Sequence, residues 1–370
     1  MIIGIPKEVK IEEYRVGLTP YNARELVRHG HHVLVEHNAG LGIGFSDSHY
    51  REQGIDVVDT AAEVYAKAEM IVKVKEPQPA EYDLIREGQI LFTYLHLAPD
   101  LRQTEALMKS GCIAIAYETV TDVRGGLPLL IPMSQVAGRL SVQAGAHCLE
   151  KSQGGSGVLL GGVPGVTPGK VVVIGGGVVG TNAVRMAIGK ESIVTVLDCS
   201  LHRLQELDFE FGGRLNTLYA SASNVEECVR DADLVIGAVL LPGKAAPRVV
   251  TRDMLLQMRP GSVVVDVAID QGGCMETSRA TTHTDPTYVE ADIVHYCVSN
   301  MPGAVPRTAT LALNNATLPF VLALADKGYK QALRDDPHLL NGLNVCEGYV
   351  TYKAVAKHLG KEYRPAADCI

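Results

Sequence analysis

The segment KVVVIGGGVVG constrains the chain more than any other. Gly175, Gly177 and Gly180 form G-x-G-x-x-G, a pattern that is weak alone but gains weight from its neighbours. The strand-like run Lys170 to Ile174 precedes it, helical spacing covers Val178 to Lys190, and the run IVTVLD then ends on Asp198. Gly175 permits a tight turn, Gly177 lets backbone approach a pyrophosphate, and Gly180 lets helix pack on strand. The helix N-terminus favours the phosphates. An acidic residue at the second strand end accepts hydrogen bonds from ribose hydroxyls and repels a 2'-phosphate, so Asp198 favours NAD over NADP. Arg203 either flanks the adenine or simply sits on the next helix.

The same region explains the glycine content. The chain has 37 glycines in 370 residues, where a usage of about 7% predicts roughly 26; eleven lie between Gly154 and Gly180. At about 150 residues per domain, the length implies two domains, or at most three. With 46% hydrophobic and 21% charged residues there is material for full cores. The net charge of -8 comes without a basic stripe, so neither nucleic acid nor an anionic membrane is an expected partner. The eight cysteines are scattered, without a CxxC pair or a neighbouring His at zinc-ligand spacing. They read as isolated thiols, and no metal is expected. The opening MIIGIP lacks a basic, apolar leader pattern, and a reducing cytoplasm is the expected location. The weakly polar stretch Thr308 to Ala325, interrupted by Asn314, Asn315 and Pro319, reads as a buried helix.

Along the rest of the chain, β-like and helical runs alternate. IIGIP (2–6), HVLVEH (32–37), MIVKVKE (70–76), ILFTYLH (90–96) and IAIAYET (113–119) are expected strands, with helical spacing between several of them. A long helix is expected from Ser134 to Lys151, with Pro132 ahead of it. Beyond the glycine turn, VVVI (171–174), IVTVLD (193–198), LVIGAV (234–239), VVVDVA (263–268) and IVHYCV (293–298) are near-continuous apolar runs, the signature of parallel strands covered on both faces. The expected class is α/β, with right-handed crossovers and mainly parallel sheets.

Ligands in such sheets bind at the carboxyl ends of strands. Arg15 lies in the polar segment after the first run, Lys75 near the end of KVKEP, and His96 at the end of FTYLH. Each has an ordinary reading, as a solvated cation or a structural histidine. Their shared placement instead suits a small carboxylate substrate that loses or gains a proton. Asp270 ends VVVDVAID before Gln271, Gly272 and Gly273, whereas Asp266, inside the apolar run, reads as a partnered structural carboxylate. CVSNMPGAVPRTAT, at 297–310, reads as a rigid loop.

The chain resembles the L-alanine dehydrogenase family over essentially its full length. The resemblance rests on IGIPKEVKIEEYRVGLTP, VKVKEPQPAEYDLI, ILFTYLHLAPD, GGVPGVTPGKVVVIGGGVVGTNA, VDVAIDQGGCMETS and VHYCVSNMPGAVPRTAT. The wider group includes the soluble alpha subunit of proton-translocating nicotinamide nucleotide transhydrogenase. The resemblance implies two Rossmann-like domains, with an NAD-binding domain (129–307) inserted into a discontinuous substrate domain (1–128 and 308–370). It implies that Arg15 and Lys75 bind the substrate, that His96 is the acid/base, and that Asp270 is the second catalytic residue. Cofactor contacts are implied for Ser134, Gly175, Gly177, Val178, Val179, Gly180, Asp198, Arg203, Val239, Leu240, Val267, Ala268, Ile269, Asp270, Arg279, Val298, Ser299, Asn300 and Met301, with Ser221 or its neighbour Ala220 near the adenine. Some members carry a metal near the C-terminal helix, but Leu322 to Tyr329 offers only Asp326, so none is expected here.

The implied reaction is reversible oxidative deamination of L-alanine to pyruvate and ammonium by a homohexamer. The competing readings are a hydride-passing component of a transhydrogenase, an NAD-sensing module without turnover, and an opine- or saccharopine-type dehydrogenase.

Overall fold

The computed structural model describes residues 1–239 and 246–370, and the chain divides into two compact units. Met1–Met133 and Val305–Ile370 form unit 1, and Ser134–Ala304 forms unit 2. The chain begins with β1 (Ile2–Ile5), β2 (His32–Glu36), β3 (Asp56–Val58), β4 (Met70–Val72), β5 (Ile90–Thr93) and β6 (Ile113–Ala116). Unit 2 then supplies β7 (Lys170–Ile174), β8 (Ile193–Asp198), β9 (Asn216–Tyr219), β10 (Leu234–Gly237), β11 (Val263–Asp266), β12 (Thr287–Glu290) and β13 (Ile293–Tyr296). Back in unit 1 come β14 (Leu343–Cys346) and β15 (Tyr349–Val350).

Among the described residues, the unit 1 sheet runs β15-β14-β6-β5-β4-β1-β2-β3, and the unit 2 sheet runs β12-β13-β11-β10-β7-β8-β9. Pairing is parallel from β3 through β6 and from β9 through β13, while β14, β15 and β12 join antiparallel at the edges. Both sheets are therefore doubly wound. The strand order reverses beside β1 and β4 in unit 1, and beside β7 and β10 in unit 2, which opens a crevice at the carboxyl ends there.

The apolar runs become strands because both faces are covered. Val64, Ile71, Leu91, Leu95, Leu107 and Ala114 belong to one unit 1 core, and Val172, Ile174, Val229, Val235, Val264 and Ile293 to one in unit 2. Several strands are shorter than their runs. β4 stops at Val72 and β5 at Thr93, so Lys75 and His96 lie in the segments that follow, and β11 stops at Asp266. Asp266 takes the Ala268 N–H (3.0 Å) and turns the chain into the 3-10 segment Val267–Gln271, which carries Asp270. The long helix spans Ile131–Cys148 instead of beginning at Ser134; Pro132 falls inside its first turn, where a missing N–H costs no helical bond.

The weakly polar stretch lies in the helix Pro306–Asp335, interrupted by non-helical Gly328. By length and composition this helix matches a membrane span. Its buried Asn314, however, accepts the Thr19 N–H (2.6 Å) and donates to the Gly17 carbonyl (2.9 Å), which fixes the loop after β1.

Candidate active site

Four neighbouring parallel strands of unit 1, in the order β6-β5-β4-β1, send their carboxyl ends to one edge. The loop after β1 carries Arg15, and Lys75 follows β4, His96 follows β5 and Glu118 follows β6. The structure thus brings three of the expected site residues to one sheet edge. Gly17 makes the approach possible: a Cβ there would lie 2.2 Å from the Val72 carbonyl oxygen, so only glycine lets the Arg15 loop cross the end of β4.

Arg15 is 2% exposed. Its Nε and Nη2 donate to the two Glu13 oxygens at 2.7 and 2.5 Å, a bidentate pair, and Nη1 meets the Met133 sulfur at 3.1 Å. Burial works against the charged guanidinium, but Glu13 more than offsets it, so the Arg15 pKa lies above its ordinary value. The charge at this edge is permanent.

Lys75 is half-buried. Its backbone N–H and that of Val74 donate to Glu8 Oε1 at 3.2 and 2.7 Å, while its carbonyl accepts the Thr93 hydroxyl at 2.9 Å. Beneath it Lys73, fully buried, pairs with Glu8 (3.1 Å) and Glu81 (2.9 Å). One ammonium cannot neutralise two buried carboxylates. Burial, opposed by Lys73, raises the Glu8 pKa, whereas the two carboxylates carry Lys73 above its ordinary value despite burial.

His96 is exposed, with φ of 49°. A non-glycine residue held in this left-handed region stores of order 1–3 kcal/mol of strain, which persists only where surroundings over-determine it. The imidazole stacks on Tyr94, with centroids 5.9 Å apart and planes at 15°. The buried Tyr94 hydroxyl donates to the Leu129 carbonyl at 2.6 Å. Burial pushes the Tyr94 phenol up, Arg15 pulls it down and Glu118 pushes it up again, so both charges act on this ring.

Unit 2 holds Asp270 and the residues expected to meet the dinucleotide. Gly175 has φ of 100°, and a Cβ on it would lie 2.7 Å from the Ala238 carbonyl oxygen, so the turns after β7 and β10 close on one another. A Cβ on Gly180 would lie 1.7 Å from the Gly175 carbonyl oxygen, whereas Gly177 has nothing within 4 Å. The turn is tight on its protein side and open at Gly177, where the helix Val178–Gly189 begins; Val178 is exposed and Val179 half-buried in its first turn. That is the cradle a pyrophosphate requires.

Asp198, at the end of β8, accepts the Gly176 N–H (2.7 Å) and the Ser200 N–H (2.8 Å). Arg203 turns toward the glycine loop: Nε donates to the Gly176 carbonyl (2.7 Å), Nη2 to the Thr181 hydroxyl (2.6 Å) and Nη1 to Glu206 (2.5 Å). Arg203 thus sits on the next helix with its guanidinium bracing the glycine turn. Ala220 donates its N–H to the Asp198 carbonyl (3.0 Å), and Ser221 caps the helix Ala222–Asp231. Val239 follows β10, and Leu240 lies outside the described residues.

Val267, Ala268 and Ile269 share the 3-10 segment with exposed Asp270. Buried Asp266 organises this segment, accepting the N–H groups of Ala268 (3.0 Å) and Cys274 (2.8 Å) and the Ser278 hydroxyl (2.5 Å). Arg279 lies 3.9 Å over the Tyr288 ring. Val298, Ser299, Asn300 and Met301 follow β13, with Asn300 at φ of 62° and its carbonyl 3.2 Å from His283 Nε2. Ser134 is the first residue of unit 2, half-buried in the long helix.

Among the described residues, no group of three or more His, Cys, Asp or Glu is arranged to hold a metal ion. His29 and His31 meet Asp326 at 3.0 and 2.7 Å and lower its pKa. Sequence reasoning missed Glu8, Glu13, Tyr94 and Glu118. Glu13 and Tyr94 carried a local signal, each two residues from the side chain it meets, Arg15 and His96; Glu8 and Glu118 act on backbone far along the chain.

Comparison with known proteins covers both units of the chain. The model of the alanine dehydrogenase/PNT N-terminal domain matches residues 4–137, and that of the C-terminal domain matches residues 141–353. An alanine dehydrogenase of Halomonas elongata is 60% identical over 370 residues, covering 100% of each chain. A solved L-alanine dehydrogenase structure superposes with a TM-score of 0.95 at 54% identity, covering 97% of this chain and 99% of that one. A transhydrogenase structure from Sinorhizobium meliloti is more distant, with a TM-score of 0.83 at 26% identity over 96% of this chain and 100% of that one. Two doubly wound units, a glycine turn open where a pyrophosphate would lie, and 60% identity to a relative over the full length lead to one conclusion: the chain belongs to the alanine dehydrogenase/PNT family.

Proposed function

We propose that the protein catalyses the reversible oxidative deamination of L-alanine, using water and NAD to give pyruvate, ammonium, NADH and a proton. The observation that carries this reading is the gathering of Arg15, Lys75 and His96 at adjacent strand ends of one sheet. Unit 1 is then the substrate unit and unit 2 the dinucleotide unit.

Arg15 and Lys75 hold the substrate carboxylate and its carbonyl region, with Glu13 and Glu8 fixing them from behind. His96 takes a proton from the substrate amine and from the water that attacks the imine carbon. Asp270 stabilises the positive charge of that imine. Bound nicotinamide supplies the acceptor for the hydride leaving Cα. Gly175, Gly177, Gly180 and the first turn of the following helix hold the pyrophosphate, Asp198 the adenosine ribose, and Val239, Val267–Asp270, Arg279 and Val298–Met301 the rest. Asp198 at the ribose position and an Arg203 engaged with the turn favour NAD over NADP. The family resemblance points further to a cytoplasmic homohexamer.

Absorbance of reduced nicotinamide, followed with L-alanine and NAD at alkaline pH and then with NADP, tests the reading. Alanine-dependent reduction of NAD with little or none of NADP is expected. Binding of NAD without any such rise would leave a sensing module, and His96→Ala with near-normal alanine oxidation would remove the acid/base assignment.

A further inference from the structure

Parallel strands β5 and β6 pair from Ile90 with Ile113 to Thr93 with Ala116, so the segments leaving them start side by side. After β6 the chain enters the short 3-10 segment Tyr117–Thr119, which places half-buried Glu118 beside the segment after β5. Its carboxylate takes two consecutive backbone donors. Oε1 accepts the His96 N–H at 2.6 Å and the Leu95 N–H at 3.1 Å, and Oε2 lies 3.2 Å from the Leu95 nitrogen. The shortest of these bonds falls on the residue with φ of 49°, where an L side chain rarely rests unaided, and the others on the residue before it.

We propose that Glu118 is a positioning residue for His96, holding the left-handed turn that presents the imidazole at the carboxyl edge of the unit 1 sheet. The proposal rests on reading His96 as the acid/base of the reaction above. The ring is steadied from its other end by Tyr94, itself anchored through its hydroxyl to Leu129 and packed edge-on against Tyr117 at 5.0 Å. Stacking restrains the ring plane, but the direction in which it leaves the backbone is set by the turn. A charged acceptor suits this work because its bonds to N–H groups are shorter and stronger than those of a neutral one. Without it, two amide donors lose their partner and the backbone relaxes toward the ordinary region, moving the imidazole away from the reacting proton.

The test compares wild type with Glu118→Ala and Glu118→Gln in the full-length protein. Steady-state alanine oxidation, NADH binding by fluorescence and deuterium uptake of the peptide containing Leu95 and His96 are measured together. Glu118→Ala is expected to raise uptake in that peptide and to lower kcat by about 10–100-fold, the usual cost of a small misplacement. KM for L-alanine should change by less than about threefold and NADH binding should stay at the wild-type level, because neither depends on the imidazole direction. Glu118→Gln keeps an acceptor oxygen and should restore most of kcat, which also guards against a poorly folded Ala variant. Unchanged kcat in Glu118→Ala overturns the proposal. So does a parallel loss of kcat, alanine KM and NADH binding, the mark of direct substrate contact or general misfolding. Wild type lacking alanine-dependent NAD reduction would defeat the functional reading itself, and with it the proposal, whatever the uptake shows.

Discussion

Among single residues, the buried charges beneath Lys75 make the sharpest demand. Glu8 and Glu81 share one Lys73, and burial raises the Glu8 pKa above its ordinary value. A group whose folded pKa is raised contributes stability fully below its unfolded pKa and loses it as pH rises through the folded value. Glu8→Gln keeps an uncharged acceptor for the Val74 and Lys75 N–H groups and cannot ionise. Denaturant unfolding between about pH 4 and 8, bracketing the ordinary carboxylate range, should show the Gln variant gaining on wild type as pH rises. A difference that stays flat across that window would remove the argument. Asp198 makes a second demand at this scale, since its two oxygens serve the Gly176 and Ser200 N–H groups as well as the proposed ribose. Asp198→Ala should raise KM for NAD about tenfold or more and shrink the preference for NAD over NADP by a similar factor, as expected for lost hydrogen bonds and lost repulsion. Initial rates with the two cofactors measure both, and an unaltered preference would place the discrimination elsewhere.

The strand–turn–helix around Gly175 separates two uses of glycine that sequence alone merges. At Gly180 a methyl group would strike the Gly175 carbonyl oxygen, so Gly180→Ala should disrupt the turn and lower Tm together with cofactor binding. At Gly177 the added Cβ meets no protein atom, and φ is -67°, so Gly177→Ala should leave Tm of the free protein near wild type. Its methyl enters the space assigned to the pyrophosphate, and NADH affinity should fall about tenfold or more, equivalent to about 1.4 kcal/mol. Thermal melts paired with NADH titrations distinguish the two variants; equal loss of Tm in both would contradict the open geometry. The same element shows what was legible. Near-continuous apolar runs specified β7, β8, β10, β11 and β13, because burial on both faces leaves a continuous apolar signal. β3, β9, β12, β14 and β15 went unread: they are two to four residues long, and Asn216–Tyr219 and Thr287–Glu290 lie at sheet edges, where exposed and polar positions break the continuous apolar signal. Strand-end placement brought Arg15, Lys75 and His96 into view, but the carboxylates behind them stayed hidden. Glu118 reaches His96 across 22 residues and Glu8 reaches Lys75 across 67, and no local spacing encodes either pairing.

Continuity of the chain differs between the two units, and this difference has a measurable consequence. Unit 2 is one uninterrupted segment, Ser134–Ala304, with a seven-stranded sheet and its own core among the described residues. Unit 1 needs both ends of the chain. β14 pairs with β6, Val345, Val350 and Val355 join the core that includes Leu91 and Ala114, and Asn314 fixes the loop bearing Arg15. A fragment ending at residue 133 therefore exposes the β6 edge and leaves that core open on one side, the condition under which strands aggregate. A fragment of residues 134–304 loses no strand of its sheet and keeps the whole glycine turn. It should unfold cooperatively in denaturant and enhance NADH fluorescence, whereas residues 1–133 alone should show neither a cooperative transition nor solubility comparable to the full chain. Adding residues 305–370 in trans should recover a soluble complex if the missing contacts are the cause. Cooperative folding of 1–133 alone would mean that the C-terminal segment only decorates unit 1. Failure of 134–304 to bind NADH despite cooperative unfolding would show that dinucleotide binding depends on residues outside unit 2.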